Sequence, residues 1–168
     1  PSTQMHEVER ESRLAAFRQA MREAELDVNE EAIRMASSIA QGDLLGLGNV
    51  LEHFPEATAI LCGDEERAED LISVAELRGI SVPAKLSVAA VDMRPLNLGA
   101  PRLKRTGIEF DFDRAIELGV DMLIDQIQTG QTSIESVVFS PFLVEGETIA
   151  APPKAAGVSS NRAGIAAT

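Results

Sequence analysis

Residues 58–92, TAILCGDEERAEDLISVAELRGISVPAKLSVAAVD, read as one complete strand–helix–strand unit. The apolar run Ala57–Cys62 is short and bounded, as expected of a strand that is buried on both faces. Gly63 and Asp64 follow at once, and an aspartate at this point is a suitable helix N-cap. Gly79 stands where a C-cap glycine ends a helix. The apolar positions that repeat near the helical period between them are Ala68, Leu71, Ile72, Ala75 and Leu77.

The second strand of this unit, Leu86–Val91, ends on Asp92. Two strands that are joined through a helix run parallel, so their carboxyl ends lie at the same edge of the sheet. Open α/β sheets bind their ligands at this edge. We therefore predict an α/β fold with a Rossmann-like parallel sheet flanked by helices, and we expect Gly63, Asp64 and Asp92 at its ligand-binding edge.

The composition is that of an ordinary soluble globular domain. Of the 168 residues, 45% are hydrophobic and 25% are charged, which fits one domain with a sizeable core. No apolar run approaches the roughly 18–20 residues of a membrane helix, and the first residues do not resemble a signal peptide. We therefore expect a soluble, cytoplasmic protein without membrane contact. The one cysteine, Cys62, is expected to be a small buried hydrophobe.

The charge argues against direct nucleic-acid binding by this segment. The formal net charge is −12, whereas contacts with phosphates require clustered Lys and Arg. The sequence has no helix-turn-helix or zinc-finger pattern, and it contains no Trp or Tyr on which bases could stack. Any nucleic-acid function must therefore reside outside these residues.

Two further segments accompany the strand–helix–strand unit: SRLAAFRQAM precedes it and F.R..ELGVDMLI..I follows it. In this order and at this spacing, with TAI..GDE and RGI.VP..LSV...D between them, they resemble the effector-binding core of LacI/GalR-type bacterial transcriptional repressors over residues 9–149. The resemblance implies a periplasmic-binding-protein-like type I fold. This chain would contain its C-terminal lobe together with crossover elements of an N-terminal lobe that lies outside it.

The function implied by the resemblance is small-molecule sensing without catalysis. A sugar- or nucleoside-like effector would bind in the cleft between two lobes of a homodimeric regulator whose interface includes the helix Glu66–Arg78. DNA would be bound only through a headpiece absent from this chain, and no cofactor or metal is expected. The alternative is a periplasmic sugar-binding receptor of an ABC transporter, which shares the fold. An enzyme is disfavoured because the sequence has no nucleophile–base pair or metal-ligand set.

The resemblance also implies two principal ligand-binding residues. An arginine that matches Arg13 reaches into the cleft, where its planar donors hold ligand oxygens. Asp92 matches a carboxylate that accepts hydrogen bonds from ligand hydroxyls or ring nitrogens. From the residues alone, the alternatives are a solvated helix arginine for Arg13 and a capping or turn aspartate for Asp92.

Four further positions complete the expected site. Ser38 lies near the place of a family aromatic that stacks on the ligand, so we expect no such stacking from this lobe. Gly63 replaces a side chain that faces the cleft, and Asp64 has helix capping as its alternative role. Phe110 follows the crossover strand and lies either near the ligand or in the core of the other lobe. The family's usual Leu-Thr-Thr before that strand reads Arg105–Gly107, RTG, here.

The chain divides into three predicted regions. Residues 1–8 are an N-terminal extension, 9–149 a partial effector-binding domain, and 150–168 a flexible tail rich in Ala, Gly, Ser and Pro. Within the domain, the resemblance assigns the segment 106–128 to the other lobe. Its predicted helix carries an apolar stripe, Ile116, Val120, Leu123, Ile124 and Ile127. We expect this stripe to be repacked, swapped between two copies or covered by another chain.

The remaining elements follow from periodicity and turn residues. A helix is predicted over 9–24, a short strand over 32–36, a helix over 43–53 and a strand over 137–144. Pro141 favours an edge position for the last strand, because proline cannot donate to a strand ladder. Three other patterns carry no site: the glycines at 42, 46 and 48, the alternating acids at 109, 111 and 113, and the two histidines.

Overall fold

The computed structural model of the chain contains a five-stranded, mostly parallel sheet with helices packed beside it. It describes residues 2–37, 39–40, 42–93, 103–130, 136–153 and 164–167. The strand order is β4-β3-β2-β1-β5, in which only β4 runs antiparallel to its neighbour. The predicted fold class is thereby confirmed. In chain order the elements are α1 (Ser2–Glu23), α2 (Glu30–Ser37), α3 (Leu44–His53), β1 (Ala57–Cys62), α4 (Glu65–Leu77), β2 (Ser87–Met93), β3 (Thr106–Glu109), α5 (Phe112–Thr129), β4 (Phe142–Val144) and β5 (Gly164–Ala167).

The unit β1–α4–β2 forms as its sequence predicts. The two strands pair in parallel, with Ile60 opposite Val88. Asp64 begins α4 by accepting a hydrogen bond from the backbone N–H of Arg67 at 2.8 Å. Gly79 follows the helix with a φ of 71°, a conformation that a residue without a Cβ adopts at no steric cost.

The buried face of α4 matches the predicted stripe except at its end. Leu77, which we predict to face inward, is 85% exposed. It lies two positions after Ala75, which is more than half a helical turn away and therefore on the opposite side. The residues that α4 buries along its apolar face are Ala68, Leu71, Ile72, Val74 and Ala75.

The core lies between one face of the sheet and the helices α3 and α4. Alternate residues of β1 and β2 enter it, as the two-residue period of a strand requires. Cys62 is fully buried at the end of β1, as predicted. The principal contributors are Leu47, Val50, Ile60, Cys62, Leu71, Val74, Val88 and Ala90.

One predicted strand is wrong. Residues 32–36 lie in the helix α2. Asn29 accounts for the difference, because its Oδ1 accepts hydrogen bonds from the N–H groups of Glu31 and Ala32, each at 3.1 Å. Such a side chain satisfies two of the orphan donors of a first helical turn. The apolar residues of this segment then follow a helical spacing, and Ala32 and Ile33 are buried.

The helix α1 is longer than the sequence predicts. It begins at Ser2, so residues 2–8, which we predict as an N-terminal extension, continue the helix. Arg18 ties α1 to α2 through a two-pronged contact with Glu30, in which Nε and Nη2 each lie 2.8 Å from a carboxylate oxygen. The pair lies at the surface, where such contacts contribute little to stability.

The strand β3 extends the sheet beyond β2. Thr106 lies opposite Ala89 and Glu109 lies opposite Met93. The assignment of the segment 106–128 to another lobe stays a prediction, but its first strand is hydrogen-bonded into the sheet of this chain.

The N-terminal end of β3 is hydrogen-bonded to the segment that follows β4. The backbone N–H of Thr106 donates to Oγ1 of Thr148 at 3.0 Å, and the N–H of Gly146 donates to Oγ1 of Thr106 at 2.9 Å. Thr148 is fully buried. A Cβ at Gly146 would lie 2.3 Å from the carbonyl oxygen of Lys104, so only glycine allows this close approach.

The helix α5 has no buried residue. Its apolar stripe is exposed, from 46% at Ile124 to 81% at Ile127. Among the described residues no element makes an extensive contact with α5. The expectation that another copy or another chain covers the stripe therefore stays a prediction.

β4 and β5 form the two edges of the sheet, and the edge position that Pro141 favours for β4 is the one observed. β4 begins at Phe142, directly after Pro141, and is shorter than the strand predicted over 137–144. Part of the predicted tail, Gly164–Ala167, forms β5 and pairs in parallel with β1. The flexible tail was predicted because the segment lacks side-chain periodicity. An edge strand needs no such periodicity, because its backbone hydrogen bonds alone can hold it.

Candidate functional site

The carboxyl ends of β1, β2 and β3 lie side by side at one edge of the sheet. Gly63 follows β1, Asp92 is the penultimate residue of β2, and Phe110 follows β3. Because parallel strands end at a common edge, the sheet brings together three positions that are far apart in the sequence. This edge is the candidate site.

Arg13 reaches the candidate site from α1. Its Nη1 donates a hydrogen bond to the carbonyl oxygen of Gly63 at 3.2 Å, and its side chain is half-buried. A guanidinium carries five N–H donors, so a bond to the backbone is compatible with donation to a ligand. The contact places a fixed positive charge at the edge where Asp92 supplies a negative one.

Asp92 lies inside β2 and not in the turn that follows it. The residue is half-buried. It falls between Ala90 and Met93, where the register of β2 with β3 shifts. Irregularities of this kind re-aim side chains and are common beside binding sites.

Asp64 caps α4 at the candidate site. Besides the bond to the Arg67 N–H, its Oδ2 lies 3.5 Å from Nε of Arg67. The capping alternative that the sequence left open is therefore realised, whatever contact a ligand makes. Ser38 lies outside the described residues, so its expected place in the site has no structural counterpart here.

Phe110 joins the candidate site to α5. It is half-buried and meets the ring of Phe112 at 6.0 Å between centroids and an interplanar angle of 62°. This edge-to-face arrangement is a favourable geometry for two aromatic rings. The contact holds the end of β3 against the first residue of α5.

A buried ion-pair cluster beside the candidate site was missed by the sequence analysis. Arg105 precedes β3 and binds two glutamates of α4. Its Nε donates to Oε1 of Glu65 at 2.8 Å, its Nη2 binds the same oxygen, and its Nη1 binds Glu69. The signals were present, since the glutamates stand four apart on one helix face and the arginine departs from the family pattern.

Acidic residues crowd the first half of α4. Burial raises the pKa of Asp70 above its ordinary value, and the charges of Glu66, Asp64 and Glu69 raise it further. A helix N-terminus by itself favours anions. Here Arg67 and Arg105 pair with three of the nearby carboxylates, Asp64, Glu65 and Glu69.

A protein-family model described as a periplasmic binding protein-like domain matches residues 2–149. The chain belongs to this family. It is 30% identical over 142 residues to the HTH-type transcriptional repressor PurR of Klebsiella pneumoniae. It is 28% identical over the same length to the PurR repressor of Proteus mirabilis. The resemblance to a LacI/GalR-type effector-binding domain is thereby confirmed.

These alignments cover most of this chain but less than half of each relative. Each spans 84% of the chain and 41% of the repressor, so the chain spans about two fifths of the length of the curated relatives it matches. The relatives are named as transcriptional repressors and not as enzymes.

Solved structures of LacI-family regulators share the fold. A sugar-binding regulator from Escherichia coli, complexed with phosphate, superposes with a TM-score of 0.62 at 22% identity, over 83% of this chain and 50% of that protein. A regulator from Arthrobacter sp. FB24, in complex with lactose, gives 0.55 at 19% identity, over 67% and 42%. At these identities the likeness extends to the fold and no further.

Neither a metal-binding cluster nor a membrane-spanning helix is found in the part of the chain that the structure describes. There, no group of three or more His, Cys, Asp or Glu side chains is placed to hold a metal ion. No described helix combines the length and the apolar character needed to cross a membrane.

Proposed function

We propose that this chain is the effector-sensing portion of a LacI-family transcriptional regulator. A sugar- or nucleoside-like small molecule binds at the carboxyl edge of the sheet, where Arg13 donates hydrogen bonds to it and Asp92 accepts them. The observation that carries the proposal is the 3.2 Å contact between Arg13 and Gly63, because it brings a guanidinium to the edge that also holds Asp92.

The chemistry of this pair suits a neutral, hydroxyl-rich ligand. A guanidinium supplies directed donors and a carboxylate supplies acceptors. Each ligand hydroxyl can accept a hydrogen bond from the first or donate one to the second. A half-buried acceptor such as Asp92 rejects compounds that lack a matching donor, because its carboxylate would lose water without a replacement.

In the whole protein, ligand binding acts through linkage. A ligand that prefers one arrangement of two lobes shifts the protein between DNA-competent and DNA-incompetent states by its differential affinity. DNA contact belongs to a headpiece outside this chain, and the regulator works in the cytoplasm. The regulator is a homodimer whose interface includes the helix Glu66–Arg78.

Thermal unfolding in the presence of candidate ligands tests this proposal. Lactose, ribose, glucose 6-phosphate and adenosine are added separately to the chain, and to a longer polypeptide containing it where the gene encodes one. A compound present at about 100 times its dissociation constant adds about 2.7 kcal/mol of stability. Arg13→Ala and Asp92→Ala are each expected to abolish the shift.

Arg18→Ala is the matched control. Arg18 also lies on α1 and also contacts a specific partner, but that partner is Glu30, which belongs to α2. This variant should keep the full ligand-induced shift. Equal loss of the shift in Arg13→Ala and Arg18→Ala would indicate damage to α1 rather than loss of a ligand contact. No shift with any compound would contradict the proposed ligand class.

A further inference from the structure

We propose that Arg105 is a positioning residue of the candidate site. By holding Glu65 and Glu69 together, it fixes the first turn of α4, and with it Gly63 and Asp64, against the strand β3. Its effect on ligand binding rests on the function proposed above, whereas the positioning itself does not.

Arg105 and Glu65 are both buried. The side chain of Arg105 is 9% exposed and that of Glu65 is 7% exposed. Charged groups lose hydration at such positions and persist there only when hydrogen bonds replace the lost water. The guanidinium meets this requirement with three N–H groups directed at two carboxylates.

The hydrogen bonds of the Arg105 cluster orient α4. Residues such as Leu71 and Val74 already attach α4 to the sheet by apolar burial. A buried ion pair adds little net stability compared with well-packed apolar side chains. Its hydrogen bonds are directional, however, and a planar fork that grips two glutamates four residues apart fixes the position and rotation of one helical turn.

The first turn of α4 lies directly beside the candidate site. Glu65 directly follows Gly63 and Asp64. The carbonyl oxygen of Gly63 accepts a hydrogen bond from Arg13, and Asp64 caps the helix. A displacement of the first turn of α4 therefore moves the backbone carbonyl to which Arg13 is bonded. The geometry of the candidate site depends on where Arg105 holds this turn.

The residue that follows Arg105 is itself fixed by hydrogen bonds. Thr106, the next residue after Arg105, is hydrogen-bonded to the buried Thr148 and to Gly146. β3 is thus tied down at the residue beside the cluster. Arg105 transmits this fixed position to α4, and β3 in turn leads to Phe110 and α5.

Amide hydrogen exchange of the ligand-free chain, followed by NMR, tests the positioning. The informative amides are those of Arg67 and Ala68, which bond to Asp64. In Arg105→Lys, a buried positive charge remains but one ammonium cannot reproduce the fork. We expect these amides to exchange about tenfold faster or more, because charged hydrogen bonds are lost, while the amides in the second half of α4 keep their wild-type rates.

Arg78→Met is the matched control. Arg78 follows the same helix and pairs with Glu52 at 3.3 Å, but at the end of α4 remote from Gly63. The control should leave the Arg67 and Ala68 amides unchanged. Wild-type exchange at these amides in Arg105→Lys would overturn the proposal, and so would uniform acceleration along α4, which indicates a purely structural role. Arg105→Met, which removes the Arg105–Glu65 ion pair from a buried position, should accelerate the same two amides further.

Binding of lactose, ribose, glucose 6-phosphate and adenosine supplies the second measurement. A compound that shifts the wild-type unfolding temperature should bind Arg105→Lys about tenfold more weakly or worse and bind Arg78→Met normally. If none of the four binds the wild-type chain, the proposed ligand class is contradicted, and the exchange rates alone then decide the positioning. Undiminished affinity in Arg105→Lys overturns the link to ligand binding.

Discussion

Replacing Thr148 with valine should destabilise the chain by removing one hydroxyl. Thr148 is 0% exposed, and its Oγ1 accepts the Thr106 N–H at 3.0 Å. Valine has nearly the same shape, and the backbone bond from the Val88 N–H to the Thr148 carbonyl, at 2.8 Å, stays in place. The variant therefore buries the Thr106 N–H without its acceptor, which costs about 2 kcal/mol. For a chain of this size, the unfolding temperature should fall by about 4–8 °C.

Chemical denaturation and calorimetry of Thr148→Val and Thr148→Ser make the measurement. Serine keeps the hydroxyl and loses one buried methyl group, a loss of about 1 kcal/mol. If the hydrogen bond matters as argued, serine is the better tolerated of the two. A valine variant as stable as the serine variant, or more stable, would refute the argument that the buried Thr106 N–H depends on this acceptor.

Other predictions concern charge, core and surface. The pKa of Asp70 is raised in the folded chain, so its ionised form disfavours folding. Asp70→Asn should therefore add about 0.2–0.5 kcal/mol at pH 7, and denaturation curves should show the gain vanishing below about pH 4. Leu71→Ala, at a fully buried position, should cost about 2–5 kcal/mol. Leu123→Ala, at a position 60% exposed on α5, should cost the monomeric chain less than about 0.5 kcal/mol. A similar cost for both leucine variants would indicate that the stripe on α5 is covered in solution.

The part of the fold that was predictable is the part where local and tertiary requirements agree. β1, α4 and β2 combine apolar periodicity with a cap at Asp64 and a stop at Gly79, and each of these signals is readable within a few residues. The helix at Leu44–His53 is similar, because Asp43 caps it by accepting the Gly46 N–H at 2.9 Å.

Two parts of the fold were not predicted, one for a local reason and one because its partner is distant in the sequence. Residues 32–36 form a mostly apolar run that is too short to separate a strand from a helix, and the nearby cap by Asn29 favours the helix. The strand at Gly164–Ala167 pairs with β1 more than 100 residues earlier. Its backbone pairing leaves no pattern in the side chains.

The candidate site divides in the same way. Parallel-strand geometry brings Gly63, Asp92 and Phe110 to one edge, and this follows from strand positions that the sequence marks clearly. The family resemblance implies that Arg13 reaches the cleft, but its contact with Gly63 was not predicted, since nothing local connects residues 50 positions apart. The role of Arg105 was not predicted, because the spacing of the glutamates on α4 does not by itself identify a partner on another element.

The buried position of Cys62 makes the chain its own reporter of local opening. It is the one cysteine in the sequence, it is 0% exposed, and it ends the strand that leads to Gly63. A thiol-specific reagent can modify it only when β1 and α4 separate, so the rate of labelling under native conditions counts those openings without any engineered probe. A compound that binds beside Gly63 and holds this strand closed will slow the labelling, which gives a ligand screen read from a single sulfur atom.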